Sequence, residues 1–494
     1  VLRFPCSYPP DNIRGRMLAG MGVPDLRGGL GTATFFTTIS DVAAQEGEQV
    51  ISITTTPDNR VETFLPGPVD PKTKTPSRFP LHVQFDPDRR NALVCSDGTP
   101  AALELREGEW SDWLRVKFKL GLFRGIRGMV RFHLIRTAPH LELYASPINF
   151  DPEAPLFDIS SPPEYATELS KQIGAFHTAG MPEDHNGLDN GRFNEAAYLD
   201  QCNIVFNERE RMMLYELERF EEGFFYCLFD SPDRLAHMFW RFGAIEPANN
   251  ETIPKEFSEV IKDHYRRCDT LVGEAMKFAD DQTLFIACSD HGMNSFERGF
   301  HLNTWLHDQG LLVLKRGLTP GEAEGDFFRH VDWDRTKAYA LGLGGIYLNL
   351  KGREERGCVS GDEAEMLKSA IADKLTGLGD PVRNQIAIRN VLTREQVYSG
   401  AYAAESPDLL VNFAAGYRMS WATTLGGIPV GHFEDNLKKW TGDHIIDPVL
   451  VPGVLLMNQP FNETQPNLTD MAPTILAAFG IQPTPVMEGE SLLQ

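Results

Sequence analysis

Basic residues are outnumbered in this chain. Across 494 residues, 47 Lys and Arg face 69 Asp and Glu, for a formal charge of -22. Binding a nucleic-acid backbone requires a basic face that neutralises phosphates, so the deficit argues against that partner. It leaves open a small phosphate ester held through metal ions. Long apolar runs are missing as well: none approaches the roughly 20 residues of a membrane span. Cysteine is sparse, with seven scattered residues and no Cys-x-x-Cys. Cys227 and Cys288 lie inside apolar runs and read as small core residues. That usage suits a reducing compartment and favours the cytoplasm. A secretory signal is also lacking, so the glycosylation-type triplets at Asn250 and Asn467 carry no weight. Gly28-Gly-Leu-Gly31 lacks the Lys-Ser/Thr of a phosphate loop and reads as a turn.

What is present is a change of period along the chain. Residues 1–50 are rich in Gly and Pro, and read as a partial N-terminal part of a catalytic domain. From 51 to 150 the period is two. Leu81, Val83 and Phe85 alternate with His82 and Gln84; Leu114, Val116, Phe118 and Leu120 with Arg115, Lys117 and Lys119; Val130, Phe132 and Leu134 with Arg131 and His133. This predicts half-buried antiparallel strands, a β-rich insertion with its Arg and Lys outward. Residues 151–494 read as an α/β domain. A helix is expected from Asn207 to a stop at Gly223, then a strand at Phe224–Phe229. A helix from about Pro254 should carry His264 on its apolar stripe, followed by a strand at Thr283–Cys288. Strand, helix, strand implies parallel neighbours. Ser360-Gly-Asp-Glu363 has the form of a capping box, opening a helix that contains Leu367, Ile371 and Leu375. Leu409–Phe413 reads as a further strand, and Asp470–Phe479 as a last helix stopped by Gly480.

Two of these strands end in acid and imidazole. Thr283–Cys288 runs into Ser289-Asp290-His291-Gly292, where glycine lets the backbone leave sharply. Phe224–Phe229 runs into Asp230-Ser-Pro-Asp233-Arg-Leu-Ala-His237. Asp233 and His237 are four apart, so one helical turn puts them on one face. Chemistry in parallel α/β sheets sits past the carboxyl ends of the strands. Two such ends, each with Asp and His, suggest two neighbouring metal sites.

Asp233-x3-His237, then Ser-Asp290-His291-Gly-Met, then Gly-Asp443-His444 resembles the alkaline phosphatase superfamily, in its type I phosphodiesterase/nucleotide pyrophosphatase branch. The segment Thr469 to Gly480 resembles the last helix of that branch. The likeness covers about residues 200 to 494. It implies an alkaline-phosphatase-like α/β fold, a mostly parallel sheet sandwiched by helices. It also implies a two-metal phosphate-ester hydrolase acting on a small phosphate-ester substrate by in-line transfer. On this resemblance Asp233, His237 and His444 hold one divalent ion, and Asp290 and His291 the other. Zinc suits such ligands, with manganese or iron as alternatives. Asp443 would orient a ligand, while His301 and His432 are substrate-side or structural candidates.

The resemblance also implies an N-terminal metal-binding Asp and a Thr or Ser nucleophile, and no copy of either is found. Thr32, Thr34, Thr37 and Thr38 have no evident base beside them. The chain opens on Val1-Leu-Arg-Phe-Pro, which reads as the middle of a fold, so the expectation is a fragment whose nucleophile lies upstream. The alternatives are a phosphomutase or other metalloenzyme of the superfamily, and a non-catalytic fragment or pseudoenzyme that binds metal. The sulfatase signature is absent. Oligomeric state is not readable.

Overall fold

The alternation at 81–118 is realised position by position. Leu81, Val83, Phe85, Leu114, Val116 and Phe118 are buried, while Arg115, Lys117 and Lys119 are exposed. In this computed structural model, residues 1–494 are described except 6, 12, 97–101, 121–123, 244–254, 322–325, 462–464 and 494. Asn250 and the expected helix start at Pro254 lie outside the described residues. The described chain is mixed α/β, with several sheets and ten α-helices. No described helix is long and apolar enough to cross a membrane. By internal contacts it divides into two units, Val1–Leu235 and Ala236–Gln494, and the division falls inside one helix, Ser231–Gly243.

In the first unit, Arg60–Val69, Pro76–Asp86, Asn91–Cys95 and Leu103–Arg106 form an antiparallel sheet. Leu114–Leu120 pairs with Arg124–Val130, which pairs with Asn149–Phe150. The expected strand through Val130 and Leu134 is instead broken at Arg131. The chain changes sheet there, and Phe132–Arg136 joins Glu142–Ala145, Ala33–Thr37 and Glu48–Ser52. Arg131 and His133 were expected to face outward, yet both are largely buried. The helix Glu195–Leu217 accounts for this. Its Glu208 carboxylate lies 3.5 Å from Arg131 Nη2, and its Ala197 carbonyl accepts from Trp110 Nε1, whose indole packs on His133. A face that period two marks as polar is thus covered by a helix. That helix begins well before Asn207, where the Asn194 side chain accepts from Ala197 N, and it ends short of Gly223.

Gly28–Gly31 is a turn held by Asp25, whose carboxylate accepts the backbone N–H of Arg27, Gly29 and Thr32. The expected strand at Phe224–Phe229 makes only an isolated bridge, Leu2 with Cys227, and Phe224 remains exposed. The first unit's core runs from Leu2 through Phe118, Phe132 and Leu169 to Met212.

In the second unit, Ala338–Leu341, Gly345–Leu348, Leu409–Phe413 and Ile388–Thr393 form an antiparallel sheet. The helix Gly361–Leu375 buries Ile371 and Leu375. Ser360 sits at its N-cap, but its side chain makes no capping hydrogen bond. The last helix, Met471–Ala478, is followed by Gly480 with φ of 67°. Ile286–Cys288 does not gain the expected parallel neighbour. It pairs antiparallel with Leu455–Met457, and its residues are at most half-buried, with Cys288 exposed. Among the described residues all six cysteines are free thiols.

His133, His264 and His301 are buried, and burial pulls each imidazole down to about 4; Arg267 adds to the effect at His264 and His432 at His301. An unfolded histidine titrates near 6.5. Between those values the unfolded chain holds protons that the folded chain does not, so stability rises with pH through the window. In the second unit, which holds His264 and His301, the urea midpoint is therefore expected to be lower at pH 5 than at pH 7. Equal midpoints would contradict this.

Candidate metal centre

The Ser289–Met293 loop is pinned to the chain after Asp447. Ser289 N donates to the Val454 carbonyl at 3.0 Å, and Gly292 N to the Val451 carbonyl at 2.8 Å. A Cβ on Gly292 would stand 2.4 Å from the Pro452 carbonyl oxygen. The tight approach thus requires the glycine that the sequence supplies. Gly292→Ala is expected to cost about 1–3 kcal/mol of overpacking and to shift Asp290 and His291. Urea unfolding and metal titration check this, and no change in either would contradict it.

The next strand, Asn294–Phe300, pairs antiparallel with Gly442–Asp443, setting Asn294 opposite Asp443 and Ser295 opposite Gly442. This register brings the two motif loops together. The His291 and His444 rings stack with centroids 3.6 Å apart and planes 12° from parallel. The helix Ser231–Gly243 is stitched to the same loop, because Thr441 N donates to the His237 carbonyl at 2.9 Å and Arg241 N to Thr441 Oγ1 at 3.1 Å. The His237 ring centroid lies 5.2 Å from that of His444.

Backbone carbonyls orient two of these rings. His237 Nδ1 lies 2.6 Å from the Gly442 carbonyl, and His291 Nδ1 lies 2.9 Å from that of Gly292. A carbonyl can only accept, so in the neutral rings Nδ1 carries the hydrogen and Nε2 carries the lone pair. This is the arrangement in which a histidine binds a metal through one nitrogen while the other donates to a fixed acceptor.

The two motifs also carry the carboxylates Asp233 and Asp290. Asp233 stands one turn before His237 on the same helix. Ligand atoms of His291 and His444 lie within 4.8 Å of each other. Asp290 is exposed, with Oδ2 3.5 Å from His291 Nε2. Imidazole and carboxylate are donor types that divalent metals take.

The other candidates lie among different partners. His301 is buried at the start of the helix Leu302–Asp308, with Nδ1 2.7 Å from Ser420 Oγ. His432 Nε2 is 2.9 Å from an Asp308 carboxylate oxygen. Asp443 is fully engaged beneath His444. Its Oδ1 accepts from the N–H of His444 at 2.8 Å and of Ile445 at 2.9 Å; its Oδ2 accepts from Trp440 Nε1 at 2.8 Å and from Arg418. Burial pushes the Asp443 carboxyl up, but the Arg418 guanidinium and the hydrogen bonds from Ile445 and Trp440 hold it below the usual carboxylate range.

Sequence reasoning missed Trp440 and Arg418. The Trp440 ring stacks on His237, centroids 3.7 Å apart. Its place directly before Thr-Gly-Asp-His was a usable signal. Arg418 had none, since only the fold brings it to Asp443.

The family model for type I phosphodiesterase / nucleotide pyrophosphatase matches residues 159–425, more than half of the chain. The match spans Asp233, His237, Asp290 and His291 and stops before His444. Comparison with curated proteins finds no match, nor does comparison with solved structures. The chain belongs to the type I phosphodiesterase / nucleotide pyrophosphatase family, phosphate-ester hydrolases of the alkaline phosphatase superfamily.

Proposed function

We infer that the chain is a metal-dependent hydrolase of small phosphate esters, with diesters or nucleotide pyrophosphates as its substrate class and two-metal in-line phosphoryl transfer as its chemistry. The observation that carries this reading is the set of imidazoles anchored at Nδ1 on main-chain carbonyls around the stacked His291 and His444. Asp233, His237 and His444 would hold one ion and Asp290 and His291 the other, with zinc preferred over manganese or iron. When bound, such ions supply charge that stabilises the attacking and leaving oxygens and the phosphorus centre between them.

The chain's own contribution is preorganisation. The Gly442 and Gly292 carbonyls fix the tautomers of His237 and His291, and Trp440 restrains the plane of His237. Asp443 fixes the backbone at His444. Asp290 is the exposed member of the set and stands toward solvent, where a substrate arrives.

The test is hydrolysis of bis(p-nitrophenyl) phosphate by the full natural polypeptide, stripped with chelator and then given zinc or manganese. Turnover should require the metal. Asp290→Ala should lower it about 100-fold or more, the scale on which removing one charge-stabilising group acts. Metal-independent turnover, or turnover that Asp290→Ala leaves intact, would sink the assignment.

A further inference from the structure

We propose that Arg418 is a positioning residue for the metal-binding histidines, acting through Asp443 and Trp440. The role rests on the metal reading above. Arg418 lies on the strand Gly416–Met419, which pairs parallel with Asn294–Phe300, and its side chain is almost wholly buried. Its guanidinium carbon sits 4.0 Å from the Trp421 ring centroid and 5.2 Å from that of Phe296. One nitrogen, Nη1, bonds Asp443 Oδ2, and Nε donates to the Met419 carbonyl at 3.1 Å. A guanidinium so enclosed is turned inward and is not offered to a phosphate.

What it holds is the hub of the two histidine arms. Asp443 Oδ1 takes the N–H of His444 and of Ile445, which sets where the His444 ring leaves the backbone. Asp443 Oδ2 takes Trp440 Nε1, and the Trp440 ring lies against His237. The same carboxylate therefore fixes His444 through the main chain and His237 through the indole. Without the cation, a buried carboxylate keeps its desolvation cost and loses its counter-charge. It would then shift from its place, and both histidines would lose their aim. An outer partner of this kind changes metal affinity without touching the metal.

The experiment is a cobalt(II) titration of the chelator-stripped 494-residue chain, read by visible absorption and run alongside circular dichroism. Arg418→Met is expected to weaken cobalt binding by about 10- to 100-fold and to alter the absorption bands while the protein stays folded. Arg418→Lys keeps the charge and should recover most of the affinity. Trp440→Phe keeps a ring over His237 and deletes only the bond to Asp443; it should also shift the bands, with a smaller loss of affinity. A folded Arg418→Met with unchanged affinity and spectrum would overturn the positioning role alone. If Arg418→Met fails to fold, Trp440→Phe decides, and an unchanged affinity and spectrum there overturns the role. Absence of cobalt binding by the unmodified chain would overturn the metal reading and the positioning role with it.

Discussion

His444→Ala is expected to weaken divalent-metal binding beyond the roughly 100-fold that loss of an outer partner costs. His444 is the central ring of the cluster, stacked on His291 and adjacent to His237. Its removal deletes a nitrogen donor and also the surface against which His291 rests. His291→Ala should act on the same scale. His432→Ala serves as control, because that ring is engaged with Asp308 and should leave affinity within about twofold. Cobalt or zinc titration after chelation reads all three. Equal affinity in His444→Ala and the unmodified chain would contradict the assignment.

The second large effect concerns stability. Glu208 is buried in the first unit, where its Oε2 accepts from His177 N at 2.8 Å and lies 2.7 Å from His177 Nδ1. Its Oε1 faces Arg131 Nη2, and the Arg131 guanidinium lies over Trp113. Burial alone would raise the Glu208 carboxyl, but His177 and Arg131 hold it below its ordinary range. Glu208→Ala leaves Arg131 largely buried without its carboxylate and strips the His177 main-chain donor. Breaking a buried pair from one side costs about 3–5 kcal/mol. Urea unfolding of this unit, followed by the fluorescence of Trp110 and Trp113, should show that loss. Glu208→Gln should cost less, since its amide oxygen still accepts from His177. A change below about 1 kcal/mol in Glu208→Ala would contradict the network.

Motif placement was the most legible part of this sequence. Asp233 and His237 were readable from helical spacing, and Asp290 with His291 from their place after an apolar run. Gly292 was readable because a sharp exit needs a residue without Cβ, and the close approach of the Pro452 carbonyl bears that out. The family followed from the order of the motifs, and the match over 159–425 agrees. Periodicity located the strands around Leu81 and Val116 but failed at Arg131 and His133. Local alternation cannot report that the helix Glu195–Leu217 covers a second face. Apolar runs failed in the opposite sense at Phe224 and Cys288. Each is apolar enough for a buried strand, yet Phe224 and Cys288 are exposed, and Ile286–Cys288 pairs on one side only, with Leu455–Met457. Arg418 was invisible because its partner lies on a distant strand, and long-range pairing leaves no local pattern.

Zinc K-edge X-ray absorption of the reconstituted 494-residue chain tests most directly whether these histidines hold a metal. Zinc retained after desalting should show imidazole scattering, with nitrogen ligands at about 2.0–2.1 Å, and the imidazole signal should fall in His444→Ala. Zinc that washes out, or that remains with oxygen-only ligation unaffected by His444→Ala, would contradict the metal centre and the hydrolase built on it.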